Sequence, residues 1–187
     1  MVWRFFGRDQ RMKDRQERLD ALANALTAED ELGAAIRGHL YVEHELNEFI
    51  KARLPAEAFE ALTAVRFEYD KKITLAVSLG LPSEFKSPLR KMGEIRNAFA
   101  HDLSASLEEK NVGSLFQAFD ADMKEITQKS YSKAFKKMPN TGRPKDVNKL
   151  EPRDRFSLYV MHLWSLLYYF NLPDEEESQD EESPPVL

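Results

Sequence analysis

An all-α helical bundle is the fold class this sequence predicts, on three observations. Glycine is scarce, 7 in 187 residues, too few for a sheet built from many tight hairpins. No run alternates apolar and polar residues as a half-buried strand does. Apolar residues recur instead at helical spacing, as in Met12, Leu19, Leu22 and Leu26, which share one stripe of a charged segment.

The elements follow in order. Residues 1–9 read as an aromatic, basic arm, and Arg11 to Leu26 as a charged helix. Thr27 followed by Asp30 resembles a capping signal with an acid in the next first turn, so a long second helix is expected from about Ala28 to Leu54, where Pro55 marks its boundary. A short helix is expected over 56–64, and another from Phe67 to Leu79, closed by Gly80 and Pro82. Ser83 opens a helix through KSPLRKMGEIRNAFAH. Residues 103–113 read as a polar connection, Ser114 to about Lys137 as a helix, and MPNTGRPKD at 138–146 as a loop. Pro152 to Asn171 is the last helix. The expected bundle has two long antiparallel helices and shorter packing helices. Residues 1–27 form the arm and first helix, 28–171 the helical domain, and 172–187 a disordered acidic tail.

Composition narrows the function classes. There is no cysteine, which excludes disulfides, thiolate metal sites and cysteine nucleophiles. No metal-ligand clustering stands out and no cofactor is expected. The most apolar stretch, Phe156 to Phe170, holds His162 and Ser165 and falls short of the roughly 20 residues a membrane span needs. The N-terminus lacks a signal-peptide core. A soluble cytoplasmic protein without a membrane span is expected.

The net charge of −5 conceals an asymmetry. Asp174, Glu175, Glu176, Glu177, Asp180, Glu181 and Glu182 stand together near the C-terminus; without those seven, 25 of the 32 acids remain against 27 bases. Residues 124–155 hold ten Lys or Arg against four acids. Within that region Lys129, Lys133, Lys136, Lys137 and Arg143 are candidate nucleic-acid contacts, interleaved with Tyr131 and Phe135, a pattern that suits a phosphate track with stacking platforms. The competing reading is a solvated lysine face with Phe135 packed inward.

The stretch EIRNAFAHD, residues 94–102, sets Arg96, Asn97 and His101 in an apolar helical run. A guanidinium binds a phosphate with two parallel hydrogen bonds, and an imidazole exchanges protons near neutral pH. Together they are sufficient for RNA cleavage without a metal, with the 2′-hydroxyl as nucleophile and a 2′,3′-cyclic phosphate as product. Five residues apart, the two lie about 140° apart around a straight helix. They converge only if the helix ends near His101 or if two copies pair across a dimer axis. In the structural alternative, Arg96 pairs with Glu94 or an acid of another helix and His101 caps a helix end through the dipole. On the long second helix, His39 and Glu43 share the stripe of Ile36, Leu46 and Ile50 and read first as a satisfied core pair.

RNAFAH resembles the R-x4-6-H motif of the HEPN superfamily, in which a polar residue commonly follows the arginine. RGHLYVEHELNEFIKARL, KKITLAVSLGL and KMGEIRNAFAHD, in that order between residues 37 and 102, are similar to the mannitol-operon repressor family. The resemblance implies an all-helical, dimeric fold, with Arg96 and His101 as a catalytic pair, Asn97 in support, and Glu43 and His44 as further supporting residues. It implies either an endoribonuclease or RNA-binding protein of the toxin or antiphage kind, held silent by an antitoxin or regulatory partner, or a non-catalytic transcriptional regulator acting through protein contacts. One group of HEPN toxins carries a tyrosine two residues after the motif histidine as the target of a modifying antitoxin. Leu103 stands there in this chain, so that route is not expected.

Overall fold

The computed structural model describes residues 3–65, 67–137 and 142–172, with side chains from residue 13 onward. Within them the chain is all helical. Its elements are α1 (Trp3–Ala28), α2 (Glu31–Lys51), α3 (Ala56–Thr63), α4 (Tyr69–Ser78), α5 (Lys86–His101), α6 (Glu109–Ala118), α7 (Ala121–Lys137) and α8 (Pro152–Phe170). Short 3-10 turns at Ser83–Phe85 and Val147–Lys149 precede α5 and α8. The acidic stretch expected to be disordered lies outside the described residues, as do residues 138–141 of the expected loop.

Four boundaries differ from expectation. The backbone is already helical at Trp3, so most of the expected arm belongs to α1. The second helix starts at Glu31 because Asp30 caps it, its carboxylate accepting from the Gly33 N–H at 2.8 Å. The Arg153 guanidinium donates to the carbonyls of Thr27 and Glu29, occupying acceptors that the end of α1 leaves unpaired. The region from Ser114 to Lys137 divides at Asp120, whose carboxylate accepts from the Met123 N–H at 2.7 Å. The expected polar connection is shorter than its composition suggests, because a capping box between Glu108 and Asn111 starts α6 at Glu109.

α2 is the centre of the bundle. It packs most extensively against α8, then against α1, α4 and α5. Ala34, Ala35, Gly38, Val42, Leu46 and Phe49 face inward at the three- and four-residue spacing of one helix face. At Gly38 a Cβ would stand 3.2 Å from Val160 and 3.3 Å from Leu26; the missing side chain lets α1, α2 and α8 approach closely. α8 contributes Phe156, Tyr159, Val160, Leu163, Trp164 and Leu167 to the same core. α5 joins it through Leu89, Met92, Ile95 and Phe99. Leu22 and Leu26 place α1 in that core as well.

α2 and α5 run antiparallel, with the chain beyond α5 returning to the start of α2. The Leu107 N–H donates to the Glu31 carboxylate at 2.8 Å. That bond anchors the segment after His101 and leaves the C-terminal end of α5 at the molecular surface.

Candidate functional site

α5 carries the Arg96, Asn97 and His101 motif on a regular helix that ends at His101, with the Asp102 N–H donating to the Ala98 carbonyl at 2.9 Å. Helical geometry therefore holds through the whole motif, and the roughly 140° between Arg96 and His101 persists. Ending the helix at His101 does not make the two converge within one chain. Asn97 and His101, one turn apart and about 40° around the axis, share an exposed strip instead. Arg96 is half-buried, and its Nη1 donates to Asn97 Oδ1 at 2.9 Å. Asn97 thus links the inward-turned arginine to the strip that carries the histidine. The suggested pairing of Arg96 with Glu94 does not form, since Lys91 takes the Glu94 carboxylate.

Beyond the motif, Asp102 accepts from the Ser104 N–H at 2.8 Å and its hydroxyl at 2.7 Å. These bonds hold the Asp102 carboxyl below its ordinary value and fix the turn after the helix. Leu103, between the bonded residues, is fully exposed.

On its inner side Arg96 meets a polar cluster formed by α2 and α4. Lys72 Nζ donates to Glu43 Oε1 at 2.7 Å, and His39 Nδ1 lies 3.5 Å from Glu43 Oε2. The His39 ring tilts against that of Tyr69, with centroids 4.4 Å apart. Arg96 is close enough for its charge to act on both His39 and Tyr69. Burial pushes the His39 pKa down to about 4, against the opposing pull of Glu43 and with help from Arg96 and Lys72. Burial also raises the Tyr69 phenol, and the Glu43 carboxylate adds to the rise. His39 Nε2 and the Tyr69 hydroxyl are buried without hydrogen-bond partners, so the expected core pair is only half satisfied.

Glu43 therefore belongs to the neighbourhood of Arg96, but His44 does not share its place: it is exposed on the outer face of α2. His39 enters the cluster as more than the core pair its spacing with Glu43 suggests, joined there by Tyr69 and Lys72. The His39–Glu43 spacing was the legible part of the cluster. Tyr69 and Lys72 come from another helix with no motif to mark them.

Gly93 makes the α4–α5 contact possible. A Cβ there would lie 3.0 Å from Tyr69 Cδ1 and 3.1 Å from Cε1. Gly93→Ala should cost about 1 kcal/mol or more of stability, because displacing a packed ring outweighs the gain in helix propensity. The loss should shrink in a Tyr69→Leu background. Urea denaturation of the two singles and the double measures this coupling.

The basic candidates divide. Lys129, Lys133 and Lys136 line one shallow face of α7 with Glu125, and Lys129 pairs with Glu125 at 2.5 Å. Lys137 is exposed at the end of the helix. Tyr131 and Phe135 are not stacking platforms on that face. Tyr131 is buried, its hydroxyl donating to the Pro144 carbonyl at 2.6 Å, and Phe135 packs against the core. Arg143 lines the same inward side as these rings, apart from the lysines. α7 packs on α8, whereas α5 packs on α2, α4 and α6; the lysine face and the motif are carried by separate parts of the bundle.

Among the described residues no group of three or more His, Asp or Glu is placed to hold a metal ion, and no helix is long and apolar enough to cross a membrane. No family model, curated protein or solved structure matches the chain.

Proposed function

We propose that this chain is a HEPN-like, RNA-binding protein that cleaves RNA without a metal, working as a homodimer with its motif at the seam. The observation that carries this reading is the Arg96–Asn97 hydrogen bond with His101 one turn further along the exposed strip. It ties the guanidinium to the exposed strip on which His101 also stands, at an accessible helix end. Arg96 and His101 diverge within one helix, so a complete site needs the strip of a second copy laid against the first. Leu103 beside His101 supplies an exposed apolar contact for such a seam.

In this reading Arg96 binds the scissile phosphate and offsets charge gathering on its oxygens. The His101 imidazole takes the proton of the 2′-hydroxyl as O2′ bonds to phosphorus. The bond from phosphorus to O5′ breaks, and the leaving oxygen takes a proton from the imidazolium of the second copy. Asn97 orients the guanidinium. Glu43 and Lys72 are positioning residues that fix the charge environment behind Arg96.

The test is cleavage of mixed-sequence single-stranded RNA, with EDTA present, by wild type, Arg96→Ala and His101→Ala. Cyclic-phosphate ends should come from wild type, with rates lower by about 10²- to 10⁴-fold in either variant. Equal silence from three folded dimers would sink the catalytic reading. Equal cleavage by all three would place the activity elsewhere.

A second reading is a non-catalytic regulator that uses the same face for protein contacts, with a cognate antitoxin or regulatory protein as partner. The full exposure of Leu103 beside His101 favours it. Growth on expression separates the two: arrest relieved by His101→Ala belongs to the nuclease, and unaffected growth to the regulator.

A further inference from the structure

One turn along α2 from Glu43, Asn47 lines a pocket of about 180 Å³ that α2, α3 and the start of α4 form together. That is about the size that holds a single aromatic ring. Ile50, Phe59, Leu62, Val65 and Phe67 make its walls apolar. One of those walls is α3, an eight-residue helix with no fully buried side chain, so it can shift to admit a guest at little cost. Val65, 60% exposed, marks a side open to solvent.

Two polar side chains enter this apolar frame. The Asn47 amide makes no hydrogen bond among the described residues, and neither of its polar atoms is closed to solvent. Lys72 lines the pocket and also reaches Glu43, its Nζ donating to Oε1 at 2.7 Å. An ammonium carries three donors, and the Lys72 side chain stays 18% exposed, which leaves it two N–H groups beyond that bond. Charge defines what they would meet. Lys72 and Arg96 both act on His39 against the single carboxylate of Glu43, and His39 itself is neutral. The nearby charges of α4 and α5 are paired among themselves, Arg90 with Asp70 and Lys71 with Glu68. Residue 66, between Val65 and Phe67, is an arginine and brings no carboxylate. A surplus positive charge beside an apolar pocket favours an anionic guest.

We infer that this pocket binds a small monocarboxylic acid with a compact apolar body, a single aromatic ring or a branched alkyl group. The body fills the space between Phe59, Leu62 and Phe67, and the carboxylate accepts from Lys72 Nζ and Asn47 Nδ2. Because Lys72 also holds Glu43, the guest is linked through it to the residues behind Arg96.

Benzoate and benzamide, alike in shape and different in charge, test this by titration into the isotope-labelled full chain, followed by backbone amide NMR shifts. Benzoate should bind saturably and about tenfold tighter than benzamide, the margin of one charge-assisted hydrogen bond. Its shifts should centre on the end of α2, on α3 and on the start of α4. Lys72→Met, which keeps the apolar stem, should erase the margin while retaining benzamide. Leu62→Trp and Val65→Trp, which fill the pocket from its α3 side, should each block both ligands. Absence of saturable benzoate binding overturns the inference, as does a benzoate preference that survives Lys72→Met. Affinity indifferent to both tryptophans overturns it equally. Shifts centred elsewhere in the wild type do so whether or not the variants fold.

Discussion

Acidification from pH 6.5 to 4 should destabilise this protein steeply through two buried histidines. His39 and His162 are each lowered by burial from 6.5 to about 4. Above pH 6.5 both are neutral in the folded and the unfolded chain, so stability is fully present. As pH falls below 6.5 the unfolded chain takes up two protons that the folded chain refuses, and stability drops by up to about 1.4 kcal/mol per pH unit for each histidine. The loss levels off near pH 4, when the folded imidazoles also protonate, and amounts to about 3 kcal/mol apiece. Around His39 the charges of Lys72 and Arg96 reinforce the depression and Glu43 opposes it. Asp70, Asp102 and Glu109 have lowered pKa values too, held down chiefly by hydrogen bonds from Arg90, Ser104 and Arg155 respectively. Those contributions are present above the ordinary carboxylate range and are lost as pH falls from that range through the lowered values. Urea titrations at half-unit pH intervals should give a slope that halves in His39→Phe and falls to near zero when His162→Phe is added. An unchanged slope in the double variant would assign the acid lability to other groups.

Trp164→Ala should be the most destabilising truncation in the core. Trp164 heads the fully buried side chains in size, is 1% exposed, and stacks on Tyr168 with centroids 5.2 Å apart. Removing it should cost about 3–5 kcal/mol through lost burial and the cavity left behind. That is a large share of the 5–15 kcal/mol typical of a domain. Tyr169→Ala, five residues on and exposed, should change stability by no more than about 0.5 kcal/mol. Chemical denaturation of the pair separates a core effect from a general weakness of α8: similar losses in both would refute the assignment of Trp164 as a core anchor.

What the sequence made legible was periodic or local. The apolar stripes and Pro55, Gly80 and Pro152 placed most helices within a few residues. Asp120 was missed as a helix cap because the run around it continues in helical period, and only the bond to Met123 distinguishes a cap from an ordinary surface acid. The same holds at Asp30, seen as an acid in a first turn when it is the cap itself. At the site, the relation of Arg96 to His101 followed from helical geometry. The cluster behind Arg96 did not, because His39, Tyr69 and Lys72 meet through the packing of α2 on α4, and sequence order carries no signal of such a meeting. Tyr131 and Phe135 show the converse: their spacing among lysines is compatible with stacking on nucleic acid, and burial decided otherwise.

The dominance of the α2–α8 contact bears on how the chain acquires its structure. Asn171, at the end of α8, donates to the Glu45 carbonyl and carboxylate across 126 residues of sequence. The apolar face of α2 therefore waits for a helix that leaves the ribosome more than a hundred residues later. Contacts this distant in sequence slow folding, since the loop must close before burial rewards it. During synthesis Val42, Leu46 and Phe49 have only nearer helices to shelter them, which makes the nascent chain a client for chaperones that bind exposed apolar segments.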